Sequence, residues 1–204
     1  MKQVKKTTML FALMLGLFTQ VADAALINNG DFTTDDVSGL QWLDLSFTDG
    51  MTYNQALSTY GEQGWVGVTQ TDYLAMYDRY FPQPLAAGVE FLSVNDSATI
   101  NYANMIADMF GITGTGTTVK YSYGMVLGDD GSMNFGGLQV YTDLTSANLH
   151  RFRTASLVPD ADTAFANFGV FLVRQAPVAA VAEPASFLLF SLGLAGLLVA
   201  RRKA

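Results

Sequence analysis

The two ends of the chain constrain it more than anything between them. Residues 185–200, "ASFLLFSLGLAGLLVA", carry no charge, and Arg201, Arg202 and Lys203 follow directly. As a helix this run extends roughly 24 Å, a little short of the roughly 30 Å hydrocarbon core of a bilayer. The flanking cations can snorkel to the head groups, and local thinning absorbs the remaining mismatch cheaply. The competing reading is a C-terminal core helix of a globular domain. That helix would need a polar face, and Phe187, Leu189, Phe190, Leu194, Leu197 and Val199 leave none. We therefore expect residues 185–204 to form a transmembrane helix with a basic cytoplasmic end.

At the other end, "MKQVKKTTMLFALMLGLFTQVADAAL" places Lys2, Lys5 and Lys6 before an apolar stretch from Met9 to Phe18, with small residues at Ala22 and Ala24. This is the layout of a secretory signal peptide over 1–24, cleaved between Ala24 and Ala25. An uncleaved anchor is the alternative, although the apolar stretch is too short to span a bilayer. With cations at both extremities held in the cytoplasm, the body is exported.

The tail also carries Glu183-Pro184 ahead of its apolar run and basic cluster. Together these three parts resemble the bacterial PEP-CTERM sorting signal. The family motif is Pro-Glu-Pro, and Ala182 stands here in place of its first proline. The resemblance implies recognition by an exosortase, a membrane protease-transpeptidase. The sorting residues are then Glu183, Pro184, Arg201, Arg202 and Lys203. It also implies an inner-membrane precursor whose body lies in the periplasm and later reaches the cell surface or the medium.

Between the ends lies one domain of about 150 residues, long enough for a real core. Over 25–176 there are 16 Asp and Glu against five Lys and Arg, a net charge of −11. So acidic a body repels phosphate backbones, which excludes nucleic acid as a partner. The chain has no cysteine, so disulfides, thiol catalysis and cysteine metal sites are excluded. Residues 176–184 turn to alanine and proline, a tether between the domain at 25–175 and the membrane.

Turn signals at Asn29-Gly30 and Ser38-Gly39 divide the start of the body into short strands. Thr52 and Gln55 form a capping-box pattern for a helix with Tyr53, Ala56, Leu57 and Tyr60 on one face, stopped by Gly61. "WVGV" is a brief strand. A second helix follows from Thr69 or Thr71 to just before Pro82. A third carries the stripe Ile100, Ala103, Ile106, Ala107 and Phe110 and ends at Gly111. Beyond it the pattern alternates around Gly128-Asp129-Asp130-Gly131, a hairpin, and "HRFRTASLV" and "FGVFLVRQ" add strands. The expectation is an α+β domain, with helices in the first half and an antiparallel sheet in the second. The last strand, Phe168 to Arg174, is apolar enough to be central and is paired with the N-terminal strand.

Ser38, Gly39, Leu40, Trp42, Leu43, Asp44 and Leu45, with Gly64, Trp65, Leu172, Val173 and Arg174, distantly resemble the C-terminal domain family of a collagen-like bacterial adhesin. That resemblance implies a C-type-lectin-like fold. Val66 stands where relatives often have arginine.

Candidate chemistry is sparse. His150 is the only histidine, with no nucleophile elbow near it, and is expected at a strand edge or on the surface. "GITGTGTT" lacks the lysine of a phosphate loop and reads as a flexible connection. Asp35-Asp36, Asp129-Asp130 and Asp160/Asp162 fall in expected loops, where solvated turns are the ordinary reading. Asp129 and Asp130 are weak calcium candidates. The lectin calcium motif is missing, since Leu85 follows Gln83-Pro84. The tyrosines and tryptophans fall mostly on core positions, and some rings are suited to a carbohydrate or protein surface.

The reading is an exported, non-enzymatic component of the cell surface or exopolysaccharide matrix, with a structural or binding role. No catalytic residue or cofactor is assigned. Its partners are the exosortase and export machinery, the membrane through 185–200, and a polysaccharide or matrix protein. The alternatives are a secreted polysaccharide hydrolase using paired carboxylates and a permanently anchored periplasmic domain.

Overall fold

The computed structural model describes residues 25–81, 91–154 and 160–177. The expected signal segment, tether residues 178–184 and the apolar tail with its sorting residues lie outside the described residues. Among the described residues, no helix is long and apolar enough to cross a membrane.

Strands β1 (Leu26–Asn28), β2 (Phe32–Asp35) and β3 (Leu40–Leu43) form a meander. Helix α1 (Tyr53–Tyr60) starts at the anticipated capping box. The Gln55 amide donates to the Thr52 hydroxyl and the Thr52 amide to Gln55 Oε1, both at 3.0 Å. The helix stops at Gly61, as expected, the Gly61 amide closing on Leu57 O, and a 3-10 turn carries the chain on to Gly64, whose φ of +82° reverses it. Strand β4 (Val66–Gly67) follows, then helix α2 (Gln70–Tyr80), capped by Thr69, and β5 (Phe91–Val94). Helix α3 (Ser97–Phe110), capped by Asp96, buries the anticipated stripe from Ile100 to Phe110.

Strand β6 (Gly114–Thr115) pairs with the long hairpin of β7 (Val119–Leu127) and β8 (Met133–Tyr141), so the glycine-threonine segment is a paired strand in part and not merely a connection. Strand β9 (Ala147–Thr154) continues the sheet, and β10 (Gly169–Val170) and β11 (Leu172–Gln175) end the described chain.

Two sheets result, mostly antiparallel and dominating the fold. The first is ordered β1-β2-β3-β11-β4 and the second β10-β7-β8-β9-β5, with β10 parallel to β7. This corrects the expected segregation: the first half builds most of a sheet of its own, and β5 extends the second. The final strand pairs centrally with the N-terminal meander, as anticipated.

That final strand is nonetheless two strands. The Phe171 amide donates to Met125 O in the second sheet, while its carbonyl accepts from Val68, both at 3.1 Å. Its ring turns into the core beside Trp42 and Tyr73. Gly124 makes the room, because a Cβ there would stand 2.5 Å from that ring. Thr48 secures the crossover, its hydroxyl accepting from Val170 N at 2.7 Å.

One apolar cluster gathers α2, α3 and the inner faces of both sheets around Trp42 and Phe171. A second packs α1 and Trp65 against Leu43, Leu172 and the start of β8. Leu26, Asp35, Leu40 and Gln175 are register partners in one row across the first sheet. Beyond that row the Ala25 carbonyl accepts from Asp36 N, and Ala176 N donates to Gly39 O at 2.8 Å. The described chain therefore arrives and leaves at the same rim, about three strand spacings or roughly 14 Å apart.

Candidate functional site

The outer face of the first sheet carries an aromatic groove built around Arg174. Register sets Arg174 on β11 opposite Gln41 on β3, and its Nε donates to Gln41 Oε1 at 2.8 Å. The guanidinium lies 4.3 Å over the Trp65 ring and 5.3 Å over Phe32. Trp65 reaches this position because the left-handed Gly64 ends the 3-10 turn and Val66 pairs with Val173, which sets Trp65 beside Arg174. The Tyr60 hydroxyl donates to Phe47 O at 3.0 Å and fixes the opposite wall. A cavity of about 220 Å³ lies among Asp31, Phe47, Tyr60, Gln63 and Arg174. A wider depression of about 690 Å³ continues from Arg174 toward Leu40, Gln175 and Pro177 at the rim.

The charge at this groove is unusual for the body. Arg79 pairs with Asp35 at 2.8 Å and Lys120 with Asp108 at 2.6 Å. Among the described residues, Arg174 has a neutral amide and aromatic rings around it and no carboxylate partner. Phe47 remains 42 % exposed, so an apolar ring faces solvent in the cavity that Arg174 and Asp31 also line.

A second polar cluster sits at the β2–β3 turn. Asp35 is buried and accepts from Val37 N, Ser38 N, Ser38 Oγ, Arg79 and Tyr80 Oη, the last at 2.6 Å. Burial alone would raise its pKa. The bonds from Tyr80, Ser38 and the turn amides outweigh burial and hold the carboxyl below its ordinary range. The Tyr80 hydroxyl is pushed well above its usual range by burial and then by the neighbouring Asp35. This cluster fastens α2 to the meander. Asp35 is thus not a solvated turn residue, while its neighbour Asp36 is exposed.

Asp129 and Asp130 lie at the tip of the β7–β8 hairpin. Asp130 Oδ1 accepts from the Ser132 amide and hydroxyl, which lower its pKa. Asp160 caps its own loop, and Asp162 accepts from Asn54 Nδ2 at 2.8 Å. Among the described residues, no three His, Asp or Glu side chains converge on a point that could hold a metal. His150 is buried on β9, inside the second sheet, with its ring against Tyr123 and Phe135. It is neither at an edge nor on the surface, because β5 covers that side of β9. Tyr53, Tyr73, Tyr77, Tyr80, Tyr123 and both tryptophans are core, as their spacing indicates. Sequence reasoning marked Trp65 and Arg174 by resemblance but missed their contact with each other and with Phe32.

Residues 180–203 match the PEP-CTERM protein-sorting motif. No curated protein and no solved structure matches the chain. The motif marks an exported protein sorted by an exosortase, anchored in the membrane as a precursor and passed to the cell surface.

Proposed function

We propose that this protein is a surface or exopolysaccharide-matrix component whose exported body binds a carboxylate-bearing polysaccharide in the Arg174 groove. The observation that carries the reading is the Arg174 guanidinium, laid on Trp65 with no carboxylate partner among the described residues, in a body of net charge −11. An acidic protein repels acidic polymers at long range, so attraction has to be local and geometric. A planar guanidinium held flat by an aromatic ring presents its edge to a carboxylate in a two-point hydrogen bond. Phe47 offers an apolar face to sugar C–H groups, and Gln63 and Asp31 offer partners to hydroxyls.

The test is binding of the mature protein to a polyuronate and to a neutral glucan of matched length, with and without calcium. Arg174→Gln is expected to weaken polyuronate binding at least tenfold while leaving the fold intact by melting temperature. Phe47→Ala is expected to weaken both polymers. Equal affinity of wild type for the charged and neutral polymer would refute the assignment.

A further inference from the structure

The Asp35-Asp36 pair divides its work between two partners, and the second has consequences for maturation. Asp35 is turned inward and satisfied by five donors. Asp36, one residue on, points outward and takes the backbone N–H of Ala25 on Oδ1 at 2.7 Å, while its own amide donates to Ala25 O at 3.2 Å. Among the described residues no cation pairs with Asp36, and Arg79 is spent on Asp35. Ala25 is the residue whose nitrogen signal-peptide removal is expected to set free.

We propose that cleavage between Ala24 and Ala25 creates an ion pair: the new α-ammonium of Ala25 docks on the Asp36 carboxylate and fastens β1 to the sheet. Hydrolysis consumes one water. The C–N bond breaks, the water oxygen joins the Ala24 carbonyl carbon to make a carboxylate, and the two water protons go to the Ala25 nitrogen, which leaves as an α-ammonium at neutral pH. A neutral N–H donor is thereby exchanged for a cation at the same position, against the Asp36 carboxylate. The strand that gains is the one needing it most. Strand β1 is three residues long, stands at the edge of the first sheet and pairs only with β2. A cut one residue earlier or later would take the charge off the nitrogen that Asp36 holds, so the latch favours one processed terminus. The inference rests on cleavage at Ala25, and its test reports that separately.

Mass spectrometry of the protein exported from the full chain first establishes whether Ala25 is the terminus. Any other terminus overturns the cleavage reading and the latch with it. With Ala25 terminal, isotopic dimethylation of the α-amine and NMR titration then give its pKa. The charged group facing it is Asp36; Asp35, one residue before, is turned inward to Arg79. The pKa is expected to lie about half a pH unit above the ordinary α-amino range of about 7.7–8.0 and to return to it in Asp36→Asn. A chain retaining one extra residue should also titrate in the ordinary range. Asp36→Asn should lower the melting temperature of the Ala25-terminal chain more than that of the extended chain. An ordinary pKa at an Ala25 terminus, or equal loss of stability in both chains, would overturn the proposal.

Discussion

Replacing Asp35 by alanine removes the acceptor of five hydrogen bonds in one step. Deleting one partner of a buried ion pair costs about 3–5 kcal/mol, because the other partner is left without compensation. Arg79 is the less buried member, its side chain 31 % exposed against 1 % for Asp35, so its guanidinium can turn to water. The low end, about 3 kcal/mol, is therefore the expected loss. For a body of this size that lowers the melting temperature by about 6–12 °C, and the denaturant midpoint falls with its slope unchanged. Asp35→Asn keeps the shape and loses the charge, so it should fall between. The pH dependence gives an independent check. The folded carboxyl has a pKa below its ordinary value of 3.8, so its contribution is complete above that value. It is lost as pH falls through the folded pKa. Wild type should lose stability on acidification below about pH 4 more steeply than Asp35→Asn. Urea unfolding of the mature protein between pH 2 and 7 measures both. A loss below about 1 kcal/mol in the alanine variant, or identical acid limbs for wild type and Asp35→Asn, would show that the cluster holds nothing.

Two further outcomes are expected. Gly124→Ala sets a methyl 2.5 Å from the Phe171 ring and 2.8 Å from Leu45 Cδ2, and should cost about 1–3 kcal/mol in urea unfolding; neutrality would mean that the crossover is loosely packed. Mass spectrometry of surface-released protein should find a C-terminus near Glu183-Pro184, and recovery of intact Arg201–Ala204 there would leave permanent anchoring as the account of the tail.

What the sequence disclosed was local. Thr52 and Gln55 lie three residues apart, and the stripe on α3 repeats with the helical period, so each is decided by its own neighbourhood. The hairpin around Gly128–Gly131 is legible for the same reason. Where the reading failed, the deciding contact was distant. A continuous apolar run from Phe168 to Leu172 cannot tell which sheet each residue joins. Phe171 divides it only because Met125 and Val68 approach from opposite sides. Asp35 looked like any turn aspartate, since Arg79 and Tyr80 are 44 and 45 residues away. The groove was hidden likewise: Trp65 and Arg174 were noticed singly, and only the register of β11 against β3 and β4 brings them together.

The rim at which Ala25 and Ala176 both lie also decides how the body carries mechanical load. A surface protein held by its tail is pulled through Ala176, and that residue leads directly into β11. Because β11 is flanked by β3 and β4, tension enters the middle of the first sheet and is shared by two neighbours. Drag on the molecule from flow or neighbouring cells would have to slide β11 out from between them. In a single-molecule pull between the tail and the distal loops, we expect one abrupt yield; gradual lengthening at low force would contradict that loading path.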